Sequence, residues 1–371
     1  MNHEPRELPI QKVGRQVFFS ETNEQISRTG EGAFLRLKDG TIMHAYTEYA
    51  GPGYHDHDPA NIVAIFSHDE GETWAEKKLL VAKDAASVNV MSVSLQRLQN
   101  GEILLVYLRK IKENIEGAER VLCRVTIRRS TDECQTWSEP LDAYDDKHHS
   151  NVLNNDRVLQ MQSGKLIIPI ARYDMTQERP TGKLMFILSK DNGHTWYDSG
   201  NLLKMPFENR RGYEEPGLYQ HEDGTLWCYA RTNLGCQFCL FSNDEGITWT
   251  TPAPNIFFTG ARSPMLVKKV MGKYTLAIFN PISLYTGRNI GNLRGRAPFL
   301  MAVSETDGIG HDANAFLKLY YLEDDMDNDY CYPAVIDGED YFLVAYYHSN
   351  GREKPLNNLK ITKVSKDEIA K

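Results

Sequence analysis

The sequence predicts an all-β fold: a six-bladed propeller of four-stranded antiparallel blades, its ring closed by an N-terminal strand. Three observations carry this. First, the phrase S-x-D-x-G-x-T-W recurs around Ser67-Trp74, Ser130-Trp137 (with Cys134 in the Gly position), Ser189-Trp196 and Ser242-Trp249, at intervals of 63, 59 and 53 residues. Self-similarity at a nearly fixed period marks a repeat architecture. Second, a polar-Gly turn leading into an apolar run stands at Asp39-Gly40, Asn100-Gly101, Ser163-Gly164 and Asp223-Gly224, and more loosely at Met271-Gly272 and Asp337-Gly338. Such turns between apolar runs are hairpin signals. Third, an unassigned apolar stretch, residues 15–19, stands at the N-terminus while the sixth repeat lacks its last strand.

The elements follow in order. Short apolar segments at residues 33–35, 93–95, 157–159, 217–219, 265–267 and 334–336 precede the hairpin turns and form the inner strands. Third strands are expected at residues 62–66, 125–128, 184–188, 238–241, 299–303 and 359–362. The four phrases follow the first four of these. Their Asp can accept backbone N–H bonds, the Gly of three of them tolerates φ > 0, and their Trp offers a large face for burial. Ser304, Asp307 and Gly308 form a decayed fifth copy. Residues 15–19 supply the outer strand of blade six and so remove an exposed edge. No long helix and no linker interrupts residues 1–371, which read as one domain.

Bulk properties narrow the function. A net charge of −8 argues against nucleic acid or an anionic membrane as the main partner. No run of eighteen apolar residues exists to span a membrane. The first ten residues lack the apolar core of a secretory leader, so a cytoplasmic location is expected, with export open for a chain whose leader was removed. The six cysteines are scattered, and Cys236-x-x-Cys239 has no second pair at zinc spacing. No cofactor and no metal is expected. The loop His55-Asp56-His57-Asp58 reads as solvated, with a metal as its alternative.

In this arrangement the Asp–Gly turns and the boxes share one rim, and the strand ends on the opposite rim are rich in Arg and carboxylates. They include Arg28, Glu31, Asn155, Asp156, Arg157, Glu214, Glu215, Arg262 and Tyr332 at the starts of inner strands. Arg109, Arg172, Arg231 and Tyr347 end second strands, and Arg294 and Arg296 lie in a loop of blade five. Charges recurring at equivalent positions of several blades make a polar pit, a ligand site rather than a core.

The boxes, hairpins and Arg-lined pit resemble the sialidases (neuraminidases) and the wider group of box-containing propellers, over roughly residues 24 to 350. That resemblance implies a glycoside hydrolase releasing a terminal acidic sugar of sialic-acid type. It implies Tyr332 as nucleophile, Glu215 as its base, and Asp56 or Asp58 as acid/base. Arg231 and Arg296 would hold the substrate carboxylate, with Arg28, Glu31, Arg157, Arg172 and Arg262 further lining the site. Where the family opens blade one with a clamp arginine stands Gly30; Arg28 lies two residues away, with Glu31 beside it. Two alternatives stay open. One is a lyase or hydrolase of uronate- or rhamnose-containing polysaccharides using His148 or His149; the other is a sugar-binding propeller without catalysis. In each case the expected partner is a carbohydrate.

Overall fold

The computed structural model describes residues 10–144, 146–260, 262–281, 295–310, 318–351 and 356–370. The chain begins with β1 (Gln11–Lys12) and β2 (Arg15–Ser20), and then lays down six sheets in sequence. Blade one is β3 (Ile26–Arg36), β4 (Ile42–Ala50), β5 (Ala60–Ser67) and β6 (Ala75–Val81). Blade two is β7 (Ser87–Arg97), β8 (Ile103–Ile115), β9 (Ala118–Ser130) and β10 (Leu141–Asp142). Blade three is β11 (His149–Val152) and β12 (Leu159–Gln160), then β13 (Leu166–Asp174), β14 (Lys183–Ser189) and β15 (Tyr197–Asp198). Blade four is β16 (Glu214–Gln220), β17 (Leu226–Arg231), β18 (Cys236–Ser242) and β19 (Ala253–Thr259). Blade five is β20 (Leu266–Val270), β21 (Tyr274–Phe279), β22 (Phe299–Ser304) and β23 (Lys318–Glu323). Blade six is β24 (Tyr330–Asp337), β25 (Tyr341–Ser349) and β26 (Leu356–Ser365), followed by the one-turn helix α1 (Lys366–Ile369).

Strand β2 pairs antiparallel with β26 and completes blade six, as the sequence predicts. The two-residue β1 also adds to the edge of blade five, parallel to β23, which the sequence gives no sign of. Hydrophobic clusters fill each interface between neighbouring blades, which explains why middle strands are apolar on both faces. Every residue of β17 and of β21 is buried, because each face meets another blade. Outer strands carry the polar residues, as in β6, where Ala75 to Leu79 are exposed.

The boxes join blades as well as turning the chain. In the first, Ser67 Oγ donates to Asp69 (2.8 Å), while Asp69 accepts from the backbone N–H of Thr73 (2.8 Å) and from its hydroxyl (2.6 Å). The same bonds repeat at Asp132, Asp191 and Asp244. Each box Trp packs into the interface with the preceding blade: Trp74 into that of blades six and one, Trp137 into one and two, Trp196 into two and three. Trp249 stacks on Phe186 of blade three, 4.1 Å between centroids. In the fifth copy Thr306 replaces the turn-holding Asp, and Asp307 turns away to accept from Tyr219 Oη and the Glu222 N–H, both at 2.6 Å.

These turns make stability acid-sensitive. Hydrogen bonds from Thr73 and Thr136 hold Asp69 and Asp132 down to about 2. A carboxyl whose folded pKa lies below its unfolded value binds fewer protons when folded, so its contribution is complete above about pH 4 and is lost as the pH falls toward about 2. The urea midpoint is therefore expected to drop between about pH 5 and pH 2.5, with a shallower drop in Asp69→Asn. An unchanged acid slope in that variant would count against the assignment.

Cys236 and Cys239 lie three residues apart on β18. Residues at odd separations on a strand face opposite ways, and the two pack in different interfaces, blades three–four and four–five. Burial pushes the Cys239 thiol up to about 12, so this pair is part of the packing.

Candidate functional site

In every blade one non-glycine residue at the start of the inner strand takes a left-handed backbone: Glu31 (φ 53°), Ser92 (57°), Asp156 (56°), Glu215 (41°), Arg262 (54°) and Tyr332 (56°). In blades one, two, four and six the ladder slips at that residue, as between Glu214 and Gly217 and between Cys331 and Ala334. A bulge re-aims a side chain, and a left-handed non-glycine residue costs on the order of 1–3 kcal/mol. The strain is spent at the inner end of the blades, where it brings side chains of different blades together.

Glu215 of blade four and Tyr332 of blade six meet in this way. Tyr332 Oη donates to Glu215 Oε1 at 2.8 Å. Arg231, ending β17, pairs with Glu215 Oε2 and sets its Nη1 3.3 Å from Tyr332 Oη. Arg296 lies with its guanidinium 5.5 Å from the centre of the Tyr332 ring. Among the described residues that guanidinium has no hydrogen bond or ion pair. Burial, and then the Glu215 charge, push the Tyr332 phenol well above its ordinary value, while Arg231 and Arg296 pull the other way. Burial raises Glu215 too, but Arg231 overrides it and the carboxyl ends below its usual range. The resting pair is a neutral phenol donating to a carboxylate. Behind it, Glu214 collects Arg211 (3.2 Å) and Arg262 (3.3 Å).

A second group stands on blade one. Arg28 donates to Glu31 Oε1 (2.7 Å), Asp56 Oδ1 (2.6 Å) and Tyr347 Oη (2.9 Å). Glu31 takes the Ser92 hydroxyl on its other oxygen at 2.6 Å, and burial raises its pKa against the pull of Arg28. The Asp56 side chain is 63% exposed. The protein packed around it raises its pKa, yet Arg28 and Lys110 more than offset this and leave it at about 2. Its loop is fixed from blade two: Asn89 and Lys110 donate to the Asp56 carbonyl at 2.9 and 2.6 Å. Asp58 is different, since it accepts from the His55 N–H at 2.6 Å and closes the turn. Of the two aspartates left open by the sequence, Asp56 is the one facing Arg28.

Three predicted residues stand apart from Tyr332. Arg157 is buried and donates to the Met265 carbonyl at 2.6 Å, tying blade three to blade five. Arg172 pairs with Asp146, which also lies 2.9 Å from His149 Nδ1, so both belong to a separate cluster on blade three. Among the described residues Arg262 reaches the site only through Glu214. Arg294 lies outside the described residues.

The sequence places Asn155 on the rim but gives no sign of its role. Strand one of blade three is broken between β11 and β12, and the intervening residues 153–158 are buried. Asn155 Nδ2 donates to the Gly32 carbonyl (2.8 Å) of blade one and approaches those of Pro333 (3.3 Å) and Tyr332 (3.5 Å) of blade six. Asp156 pairs with Lys268 (2.9 Å) and accepts from the Val335 N–H. Leucine at 155 keeps the volume and leaves these buried carbonyls without their donor. That costs about 1–3 kcal/mol, to be read as a lowered urea midpoint.

Residues 91–345 match the family model described as BNR repeat-like domain. No curated protein matches the chain. Among solved structures, a protein of unknown function from Dyadobacter fermentans is similar at TM-score 0.74 and 18% identity, covering 95% of this chain and 99% of that one. The leech intramolecular trans-sialidase, complexed with 2,7-anhydro-Neu5Ac, superposes at 0.72 and 14% identity, over 97% of this chain and 71% of that one. The NanB sialidase of Streptococcus pneumoniae gives 0.71 and 14%, over 97% and 72%. Identities this low speak to the fold alone. The family match spans more than half of the chain and the blades are of sialidase type; the chain belongs to the BNR repeat-like family and is a sialidase-like propeller.

Proposed function

We propose that the protein is a glycoside hydrolase that removes a terminal sugar by double displacement on Tyr332. The observation that carries this is the Tyr332 Oη–Glu215 Oε1 hydrogen bond of 2.8 Å, made between blades six and four by two residues held in strained backbone. In the first step Glu215 takes the phenol proton as Tyr332 Oη bonds to the anomeric carbon, and the glycosidic C–O bond breaks toward a leaving oxygen protonated by Asp56. In the second step water, deprotonated by Asp56, displaces Tyr332, and Glu215 returns the proton. Asp56 is ionised at rest, so its acid role needs a sugar that covers the exposed carboxyl and strengthens the upward push of burial. Of the expected carboxylate clamp, Arg231 and Arg296 flank Tyr332, whereas Arg28 is engaged by Glu31 and Asp56.

Fluorogenic glycosides of several sugar classes test the reading, with Tyr332→Phe as the control. Loss of about 10³-fold or more in kcat is expected for that variant. Full activity in it would remove Tyr332 from the mechanism. The lyase reading would use His148 or His149, and His149 lies instead in the Asp146–Arg172 cluster.

A further inference from the structure

Arg28 is the residue through which a third arginine would enter a carboxylate clamp, and the protein has already used it. Its Nε donates to Tyr347 Oη, Nη1 to Asp56 Oδ1 and to the Tyr54 carbonyl (3.4 Å), and Nη2 to Glu31. A guanidinium has about five N–H donors, so these contacts leave almost none for a ligand. The rings of Tyr49 and Tyr347 lie 4.8 and 5.0 Å from its carbon. Its side chain is 10% exposed and that of Glu31 is 3% exposed. A substrate carboxylate arriving here displaces Asp56 and comes to rest against Glu31, which Ser92 pins in place. Two carboxylates at contact distance oppose each other's ionisation.

Of the other two arginines, one is paired and one lies against the nucleophile. Arg231 is paired with Glu215, and with Arg296 it flanks the Tyr332 phenol, where both favour the charge that develops on Oη as it attacks. A neutral sugar needs no further cation, and its hydroxyls can donate to the exposed Asp56 without breaking any ion pair.

We infer that the site takes a neutral sugar, a glycoside with no carboxylate on its anomeric carbon, and that Glu31 is the residue that sets this choice by closing Arg28. The inference rests on the glycoside-hydrolase reading above for the orientation of the sugar. It names a specificity residue that makes no contact with the reacting bond and acts through Arg28.

The test compares 4-methylumbelliferyl glycosides of neutral hexoses and N-acetylhexosamines with the N-acetylneuraminic acid glycoside. Wild type is expected to prefer a neutral glycoside by about 100-fold or more in kcat/KM. Glu31→Gln keeps the side-chain length and removes the opposing charge. It is expected to tighten the Ki of free N-acetylneuraminate by about 10-fold. Preference of wild type for the sialoside, or an unchanged Ki in the variant, overturns the inference. The substrate panel on wild type stands even where the variant folds poorly.

A binding arm separates this result from failure of the hydrolase reading. Calorimetry on Tyr332→Phe with methyl glycosides and with N-acetylneuraminate needs no turnover. If no glycoside is cleaved, the hydrolase reading fails, while tighter binding of a neutral glycoside still supports the specificity inference. Tighter binding of N-acetylneuraminate, or no sugar binding at all, overturns it.

Discussion

Glu215→Gln is expected to lower kcat by about 10²–10⁴-fold with little change in fold. The amide still occupies the space beside Tyr332 but cannot take its proton. Among the described residues the phenol, pushed well above its ordinary pKa, has no other base in contact; its remaining polar neighbours there are Arg231 and Arg296. The same argument fixes the pH dependence. Arg231 holds Glu215 below the usual carboxyl range against its burial, so the base stays charged at neutral pH and the acid limb of kcat lies on the acidic side of an ordinary glutamate. Residues that act as a unit are not additive. The double variant Glu215→Gln/Tyr332→Phe is therefore expected to lose about as much as either single one. Losses that multiply would mean that the two side chains act separately, whatever their 2.8 Å contact.

The blades were legible and the pit only partly so, for a physical reason. A box is local: Asp69 holds the Thr73 N–H four residues on, so its chemistry can be read from the phrase alone. The pit is assembled by contacts between blades that lie far apart in sequence. Arg157, Arg172 and Arg231 all stand at strand ends in the sequence, yet one ties to Met265, one to Asp146 and one to Glu215. Nothing near Arg157 announces a carbonyl 108 residues away. Asn155 stands on the rim in the sequence too, but its role was hidden for the same reason, since its partners are 123 and 178 residues distant. The bulges that aim Glu215 and Tyr332 did leave a trace, a proline directly after each, at Pro216 and Pro333. A shared residue-plus-proline step at the head of two inner strands is a signal that could have singled out this pair without a family resemblance.

The largest stability loss is expected at the interface of blades four and five, where the repeat is broken. Blade five has no box Trp, because its turn carries Thr306 and Asp307 in place of the full phrase. Trp227 of β17 fills the gap from the opposite side. It is fully buried, with Tyr229 at 5.4 Å, Phe258 at 5.8 Å and His221 at 6.4 Å between ring centroids. Gly310 of the degenerate turn lies so close that a Cβ there would come within 2.3 Å of the indole. The turn has no tryptophan of its own and carries a glycine that receives its neighbour's. Trp227→Ala leaves a cavity among side chains held by two sheets, which cannot collapse into it, and is expected to cost about 3–5 kcal/mol. A box Trp such as Trp74 is only partly buried, so its truncation should cost less. Urea unfolding of the two variants checks the order. Equal losses would mean that the interface of blades four and five is no more dependent on its single tryptophan than the others are, and Gly310→Ala should then be tolerated as well.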